Sequence, residues 1–534
     1  MTEVTGLPSG WAWCTVADLA EVGTGTTPSR DIEDYWKGGS VPWVTSSAVN
    51  QLSVEEASEN VTNAALQNTN LRLYPKHTLL LALYGEGKTR GKVSELLIEA
   101  TINQALAAIQ LNGPAAECRP YLKTFLQSHY EELRRQSLGG MQPNLNLGIV
   151  KRIRVPIAPL AEQHRIVEKV DELLSDVDAG VAALVRARAN LKKYRAAVLK
   201  AAVTGELTAD WRAAHPNAEP ASALLDRILT DRRRKWEADQ EAKFTASNKT
   251  PPKGWREKYP EPVSPDMDGL PQLPACWCWG TMDMLAELAG GITKGQKRKP
   301  EDRIREVPYL RVANVQRGYL DLSEMKTIEA TEEDIAELQL QRGDILFNEG
   351  GDRDKLGRGW IWRGEIEQCI HQNHVFRARL FSNSIGSEFV SHHGNTFGQE
   401  WFSRAGKQSV NLASINMSVL RRFPVPVPPE EEQKVIITEV QQRLSVIDAT
   451  ENYIDASLKR ASRLRQSILK EAFAGRLVPQ DPADEPASVL LDRIRQSRST
   501  DAGSAKATKL KRKRARGQQE GSSFGNEGAA DGAG

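Results

Sequence analysis

The two halves of this chain repeat the same landmark residues at a nearly constant distance, and this duplication constrains the fold more than any other feature. Near the start of each half the landmarks, 266 residues apart, are Leu7, Pro8, Trp11 and Trp13, matched by Leu273, Pro274, Trp277 and Trp279. Further along, 270 residues apart, they are Val155-Pro156, Glu162-Gln163 and Gly205, matched by Val425-Pro426, Glu432-Gln433 and Gly475. Because 534 residues are too many for one core, we predict two equivalent modules.

The second part of each half carries a heptad pattern. Spacings of three and four residues alternate through positions 167, 170, 174, 177, 181, 184, 188, 191, 195 and 198, and through the positions 270 residues later. Eight of the ten positions are apolar in each half. Heptads sustained over about 35 residues predict a helix about 52 Å long with a coiled-coil seam. Since each seam needs a partner, we predict that the two helices pack on each other; a core helix packed on its own domain is the alternative.

The first part of each half, residues 1–155 and 273–424, diverges between the landmarks and mixes short β-type runs with helix-like segments. We therefore predict an α+β fold: two α/β domains in tandem, each followed by a long α-helix, with the two helices paired as an antiparallel coiled coil. The predicted domains are 1–155, a helical region over 156–205, a short helix and linker over 206–272, 273–424, a second helical region over 425–480, and a short helix with a disordered basic tail over 481–534.

Composition narrows the class of protein further. The net charge is only +2, yet Lys and Arg cluster in glycine-containing segments. The sequence contains no apolar run of about 18 residues and does not begin with a charged-then-apolar signal pattern, so we predict a cytoplasmic protein. The five cysteines are scattered without a CxxC pair, and neither a disulfide framework nor a zinc site is expected.

Candidate catalytic motifs fail on inspection. The stretch Gly85–Thr89 resembles a phosphate-binding loop, but that pattern requires a glycine where the chain has Ala82. Neither Pro-Pro pair is followed by an aromatic residue, as a methyltransferase motif would require. Four histidines without counterparts in the first half are more often surface or recognition residues than metal ligands: His371, His374, His392 and His393. We predict a chain without catalytic residues or a metal site.

A series of short motifs recurs in the same order in the two halves. In the first half these motifs are Gly25-Thr26-Thr27-Pro28, Val41-Pro42-Trp43, Gly139–Leu147 and Pro159–Gln163. In the second half they are Val307–Asn314, Gln408–Asn416 and Pro428–Gln433. Their order, with a long helix after each set, resembles the specificity subunits of type I restriction-modification systems over nearly the whole chain, to about residue 480. The second half departs from the pattern at 291–294, which lacks the Thr-Pro pair of the first half.

The resemblance implies a division of roles. Each α/β domain would be a target-recognition domain that reads one half of a split double-stranded DNA sequence, and the helices would space the two domains. A rod of about 52 Å corresponds to about 15 base pairs. The chain itself would be non-catalytic and would hold no cofactor. In such systems the specificity subunit assembles with two methyltransferase subunits that use S-adenosylmethionine, and with restriction subunits that use ATP and Mg²⁺.

Candidate DNA contacts are side chains of the glycine-containing segments, because phosphates bind Lys and Arg whereas base edges bind Arg, Asn and Gln. In the first domain they are Thr26, Ser29, Arg30, Lys88, Arg90, Lys92, Gln142 and Asn144. In the second domain they are Lys294, Lys297, Arg298, Arg353, Lys355, Arg358, His371 and Asn411. Four tryptophans are predicted to lie in the domain cores: Trp11, Trp13, Trp277 and Trp279.

Two other interpretations stay open at this point. A recognition subunit of another restriction or phage-defence system would share this layout, and the partner subunits encoded nearby would distinguish it. A scaffold that only joins proteins through its coiled coil would show no DNA affinity at any salt concentration.

Overall fold

The computed structural model of the chain describes residues 6–84, 89–138, 144–295, 303–351, 356–405, 407–408 and 413–500. The chain divides into two compact units, Met1–Leu184 with Ala456–Gly534, and Val185–Asp455. Each unit contains one mixed α/β domain together with one part of each of two long helices.

The first unit is built on a five-stranded sheet. The strands described in this unit are β1 Ala12–Thr15, β2 Glu21–Thr24, β3 Val41–Val44, β4 Ser53–Val54, β5 Glu59–Val61, β6 Leu79–Ala82, β7 Val93–Leu96, β8 Thr101–Ile102, β9 Leu106–Gln110 and β10 Arg154–Ile157. The main sheet has the order β2-β9-β6-β7-β4, a smaller sheet has the order β5-β3-β8, and β1 pairs with β10. Both faces of β6 are buried, because alternate side chains enter two separate cores.

The second unit repeats this plan. Its described strands are β11 Cys278–Thr281, β12 Ala286–Ala289, β13 Ile304–Leu310, β14 Val315–Gln316, β15 Tyr319–Leu320, β16 Lys326–Thr331, β17 Ile345–Asn348, β18 Gly350–Gly351, β19 Gly359–Ile361, β20 Ile370–His371, β21 Val375–Leu380, β22 Lys407–Gln408, β23 Ala413–Ser414 and β24 Pro424–Val427. The main sheet has the order β12-β21-β17-β19, the smaller sheet β16-β13-β20, and β11 pairs with β24. In both units the smaller sheet has one parallel pair, β3 with β8 and β13 with β20.

The described α-helices range from single turns to two long rods. They are α1 Val16–Leu19, α2 Asn63–Asn68, α3 Arg119–Ser128, α4 Tyr130–Leu138, α5 Leu147–Arg152, α6 Leu160–Thr204, α7 Ala209–Ala214, α8 Ala221–Ala246, α9 Met282–Leu285, α10 Glu332–Leu338, α11 Ser387–Thr396, α12 Gly398–Ala405, α13 Met417–Arg421, α14 Glu430–Phe473 and α15, residues 487–500. Among the described residues, no helix has a stretch long and apolar enough to cross a bilayer.

The long helices α6 and α14 carry the predicted seam. Every predicted seam position of α14 is buried or half-buried, and so is every one of α6 except Arg188. Neighbouring positions outside the seam are open to solvent: Ile447 is 1% exposed, whereas Val446 is 67% exposed. In the second unit, apolar residues from the end of α6 and the start of α14 share one cluster. The prediction that the helices pack on each other is therefore confirmed.

Polar residues interrupt the seam at four positions, and each of them makes an ion pair across it. In the second unit, Arg188 pairs with Asp455 at 3.3 Å and Arg195 pairs with Glu451 at 3.0 Å. In the first unit, Arg465 pairs with Asp178. Because the residue number rises on α6 as it falls on α14, the pairing in the second unit is antiparallel. Polar seam residues specify register, since a shift would leave each charge against apolar side chains.

The repeated Glu-Gln motif connects each long helix to its domain. In the second unit, Glu432 Oε2 accepts a hydrogen bond from Trp277 Nε1 at 2.9 Å, and Oε1 accepts from Thr208 Oγ1 at 2.6 Å and from Arg212 Nη1 at 2.5 Å. Gln433 Nε2 donates to the Pro428 carbonyl at 2.9 Å. The carboxylate at the first turn also complements the helix dipole.

The same contacts recur in the first unit. Trp11 Nε1 donates to Glu162 Oε2 at 3.0 Å, and Gln163 Nε2 donates to the Ala158 carbonyl at 2.9 Å. Burial raises the pKa of the Glu162 carboxyl. Trp11 and Trp277 are buried as predicted, whereas Trp13 is 46% exposed, with the Arg154 guanidinium 4.6 Å from its ring centroid. The prediction of a core position for Trp13 is wrong, because it lies on the open side of the short β1–β10 ladder, opposite Pro156.

The segment that follows each long helix completes the core of the domain encoded in the other half of the sequence. In the second unit, the Ala221 amide at the start of α8 donates to the Cys276 carbonyl at 2.9 Å, and Leu224 and Ile228 enter the main core. In the first unit, the Ala487 amide at the start of α15 donates to the Gly10 carbonyl at 2.8 Å. Residues of α15 likewise enter the main core of that unit.

Helix α8 has 26 residues, Ala221–Ala246, and is longer than the short helix expected within 206–272. Its later turns have a solvated face on which charged residues pair one turn apart, as Arg233 does with Glu237 and Lys235 with Asp239. More of the segment 206–272 is therefore helical than the sequence indicated.

The seam can be tested with two adjacent residues. We expect Ile447→Ala to lower the free energy of unfolding by about 2–4 kcal/mol, because it opens a cavity between packed helices. The control Val446→Ala, on the solvated side of the same turn, should change it by less than about 0.5 kcal/mol. Urea denaturation of the full chain measures both, and equal effects would contradict the assigned seam.

The anchoring role of the buried Glu432 carboxylate can also be tested by denaturation. We expect Glu432→Ala to destabilise the protein by about 3 kcal/mol, since the Trp277 indole and the Arg212 guanidinium each lose an acceptor. Glu431→Ala removes an exposed carboxylate one residue earlier in the same helix turn and serves as the control. A denaturation midpoint that falls no further for Glu432→Ala than for Glu431→Ala would be inconsistent with an anchoring role.

Candidate nucleic-acid interface

In the first unit three loops meet at the turn between β8 and β9. The loop after β2 is held by the Thr26 amide, which donates to the Ile102 carbonyl at 3.1 Å. The segment after β6 is held by the Leu83 amide, which donates to the Ala105 carbonyl at 2.8 Å. The segment before α5 is held by the Leu145 amide, which donates to the Leu83 carbonyl at 3.2 Å. We call this arrangement the three-loop junction.

The second unit has the same junction at the turn between β20 and β21. The Ile292 amide donates to the His371 carbonyl at 2.8 Å, and the Glu349 amide to the His374 carbonyl at 2.9 Å. The Ile415 amide donates to the Glu349 carbonyl at 2.8 Å. The loop at 291–294 thus closes as its first-half counterpart does, although its sequence lacks Thr-Pro. The closure does not need the Thr-Pro pair, because the three hydrogen bonds that define the junction join backbone groups.

A glycine stands where each junction is tightest. A Cβ on Gly25 would lie 1.6 Å from the Ile102 carbonyl oxygen, and a Cβ on Gly291 would lie 2.0 Å from the His371 carbonyl oxygen. No side chain fits at either place without moving the backbone. The two glycines are therefore equivalent parts of the frame.

The first loop of unit one is rigidly braced. The indole Nε1 of Trp43 donates to the Thr26 carbonyl at 3.1 Å, and that of Trp36 donates to the Ser29 carbonyl at 3.0 Å. The Arg30 guanidinium lies 3.7 Å from the Trp36 ring centroid and forks the Glu59 carboxylate, which raises the pKa of Arg30. Since its side chain is still 54% exposed, Arg30 is a cation held in one orientation on an open surface.

The structure brings most of the described candidates of the first domain to the junction. Thr26, Ser29 and Arg30 lie on its first loop, and Asn144 lies on its third segment, exposed. Arg90 and Lys92 lie between β6 and β7, where the Lys92 ammonium donates to Asn50 Oδ1 at 2.8 Å. Lys88 and Gln142 lie outside the described residues.

In the second domain, Lys294 is exposed on the first loop of the junction. Arg358 lies in the segment before β19, and its Nη2 donates to the Val312 carbonyl at 3.2 Å. The other candidates of this domain, apart from His371, lie outside the described residues: Lys297, Arg298, Arg353, Lys355 and Asn411.

His371 is a frame residue in this structure and not an exposed one. Its side chain is fully buried, Nδ1 bonds to the Val375 carbonyl oxygen at 2.6 Å, and burial lowers the pKa of the imidazole to about 4. A neutral, enclosed imidazole does not reach a duplex, so we leave His371 out of the proposed interface. The sequence did not predict this burial. Both residues of the short strand β20 are buried, so no alternation of apolar and polar residues marks which side faces the core.

Sequence reasoning missed two features of the junctions. Trp36 and Glu59 flank Arg30. They come from segments without a cluster of basic residues, which was the feature used to choose candidates. Glu349 and His374 form an exposed pair at the second junction, and only His374 had been noticed, as one of four histidines. A search for basic residues passes over a carboxylate such as Glu349. Within the described parts of the chain, no group of three or more His, Cys, Asp and Glu side chains could hold a metal ion.

The close approach in the second junction can be tested with neighbouring glycines. We expect Gly291→Ala to lower the free energy of unfolding by about 1–3 kcal/mol, because the new methyl group overlaps the His371 carbonyl. Gly290→Ala is the matched control, as its Cβ would meet no atom within 4 Å. Thermal denaturation compares them; a Gly291→Ala protein as stable as the control would refute the tight frame.

Comparison with known proteins places these features in a family. Residues 8–183 match the family model described as the type I restriction modification DNA specificity domain. The EcoKI specificity subunit of Escherichia coli K12 is 22% identical over 95% of this chain and 99% of its own length. The StySPI specificity subunit of Salmonella potsdam is 24% identical over 93% and 97%.

A solved structure supports the fold. It comes from a study of complex assembly and conformational transition of the type I R-M system, and it aligns with a TM-score of 0.57 and 16% identity over 88% of this chain and all of that one. The family model covers the first α/β domain and part of α6, and the relatives extend the likeness through both halves and both long helices. Over nearly its whole length the chain is therefore similar to type I restriction-modification specificity subunits.

Proposed function

We propose that this chain is the DNA-reading subunit of a type I restriction-modification complex, and that each three-loop junction contacts one half of a bipartite target. The observation that carries the proposal is the pair of junctions: the same three backbone hydrogen bonds occur in both units, while the side chains displayed there differ. A common frame with different side chains is what two readers of different sequences require.

The chemistry of the first junction fits contact with a duplex. Arg30 presents a fixed guanidinium, a group that forks guanine O6 and N7 or binds phosphate. Asn144 adds an exposed amide, and Lys92 an ammonium on a neighbouring segment. Lys294 supplies a cation on the first loop of the second junction. The candidates of both domains that lie outside the described residues stay in the proposal, because they are neighbours in sequence of these loops.

The features that recur in the two halves provide docking surfaces for the partner subunits. Two methyltransferase subunits are identical, so they need two equivalent docking surfaces on a single chain, and an internal duplication provides them by pseudo-twofold symmetry. The matched long helices and the matched segments that begin α8 and α15 are the parts that recur most faithfully. Restriction subunits join the same cytoplasmic complex. The chain itself binds the DNA and the partner subunits, and the partners carry out the reactions that depend on S-adenosylmethionine and ATP.

In this proposal the helices determine the distance between half-sites. Helix α6 has 45 residues, which corresponds to about 68 Å. Removing one heptad from each long helix shortens each by about 10 Å, equivalent to about three base pairs. We expect the spacer between half-sites to shorten while both half-sites keep their bases.

Methylome sequencing of cells that express the chain with its methyltransferase partner measures this outcome. The unaltered chain should give one bipartite methylated motif, and cells without the chain should lack it. A motif that is continuous rather than split would refute the proposed function. A heptad deletion that changes the bases of a half-site, or leaves the spacer unchanged, would refute the spacing role alone.

A further inference from the structure

Glu349 and His374 form an exposed acid–imidazole pair at the second three-loop junction. Glu349 follows β17 directly, and its backbone bonds to the turn between β20 and β21, through the His374 carbonyl, and to the third segment of the junction, through the Ile415 amide. Its side chain is 29% exposed and that of His374 is 54% exposed. The pair therefore lies where the loops that carry the candidate DNA contacts of this domain meet.

The geometry fixes which hydrogen-bonding groups the pair displays. His374 Nδ1 donates to Glu349 Oε2 at 2.5 Å, since an ionised carboxylate only accepts. Glu349 Oε1 makes no hydrogen bond to the described residues, and it remains an acceptor. The imidazole holds the carboxylate in one orientation, which reduces the entropy lost when a ligand binds.

A carboxylate in this place does not serve phosphate binding. Glu349 would repel the sugar–phosphate backbone at every approach, so its presence on a DNA-facing surface weakens non-specific affinity. In the major groove, the groups that a carboxylate accepts from are two exocyclic amino groups, cytosine N4 and adenine N6. The two residues after Glu349 are glycines, which place no side chain between the carboxylate and a base edge.

We propose that Glu349 is a specificity-determining residue that accepts a hydrogen bond from the amino group of one cytosine or adenine in the half-site read by the second domain, with His374 as its positioning residue. This inference rests on the proposed function. The first domain has no equivalent pair, because the corresponding junction positions are the buried Leu83 and the half-buried Ala105. Substitutions of Glu349 should therefore change the reading of only one half-site.

The test uses the full chain assembled with its methyltransferase partner and a set of duplexes in which every base pair of the bipartite target is replaced in turn. For Glu349→Gln we expect about a tenfold loss of affinity for the best duplex and relaxed discrimination at one position of the second half-site. His374→Ala should relax the same position to a smaller extent. The first half-site should be read as before, and the preferred base at the affected position distinguishes cytosine from adenine.

Glu367→Gln is the matched control, because it removes the charge of an exposed carboxylate in the same domain. Unchanged discrimination at every position of the second half-site in Glu349→Gln would overturn the inference and leave the proposed function standing. A uniform loss across all duplexes, or a change in the first half-site, would also overturn it. An unaltered complex with no bipartite preference would overturn both.

Discussion

The antiparallel pairing of α6 with α14 is the constraint on which the rest of the structure depends. The seam is apolar except where Arg188, Arg195, Glu451 and Arg465 interrupt it, and each of these has an ion-pair partner across it. Such pairs add little stability at a partly exposed seam, but they disfavour every other register. The direction and register of the helix pairing determine which core the residues after each helix enter.

The consequence appears in both units. The residues after α6 complete the core that surrounds Trp277, and the residues after α14 complete the core that surrounds Trp11. At the junction of helix and domain a buried carboxylate, Glu432 or Glu162, accepts the indole proton. A buried carboxyl group without a hydrogen-bond donor is energetically costly. The buried Glu and the Trp that donates to it therefore occur together in both halves.

The proposed recognition surfaces differ between the two units because the hydrogen bonds that define the frame join backbone groups. The three-loop junctions are held by backbone amides and carbonyls and by one glycine each, so residues that face solvent on the loops are free to differ. Arg30 on the first loop of one junction and Glu349 on the second segment of the other are two different uses of the same frame. Sequence analysis reached the coiled coil because heptad periodicity is local, and it reached the duplication because the landmarks stand in the sequence itself.

Other features depended on tertiary contacts that no local pattern records. The burial of His371 follows from its place at the end of β20, and the length of α8 follows from ion pairs on its solvated face. The role of the Glu-Gln motif became visible only with its indole and carbonyl partners. The acidic residue at the second junction was missed because the expected signal for DNA contact was positive charge.

The central claim is that each unit contacts its own segment of the duplex. Hydroxyl-radical footprinting of the assembled complex on its target measures this directly. The account predicts two protected segments on the DNA, separated by a stretch that is cleaved as in free DNA, with one segment lost when the loops of one unit are altered. A single uninterrupted protected segment that responds to changes in only one unit would contradict it.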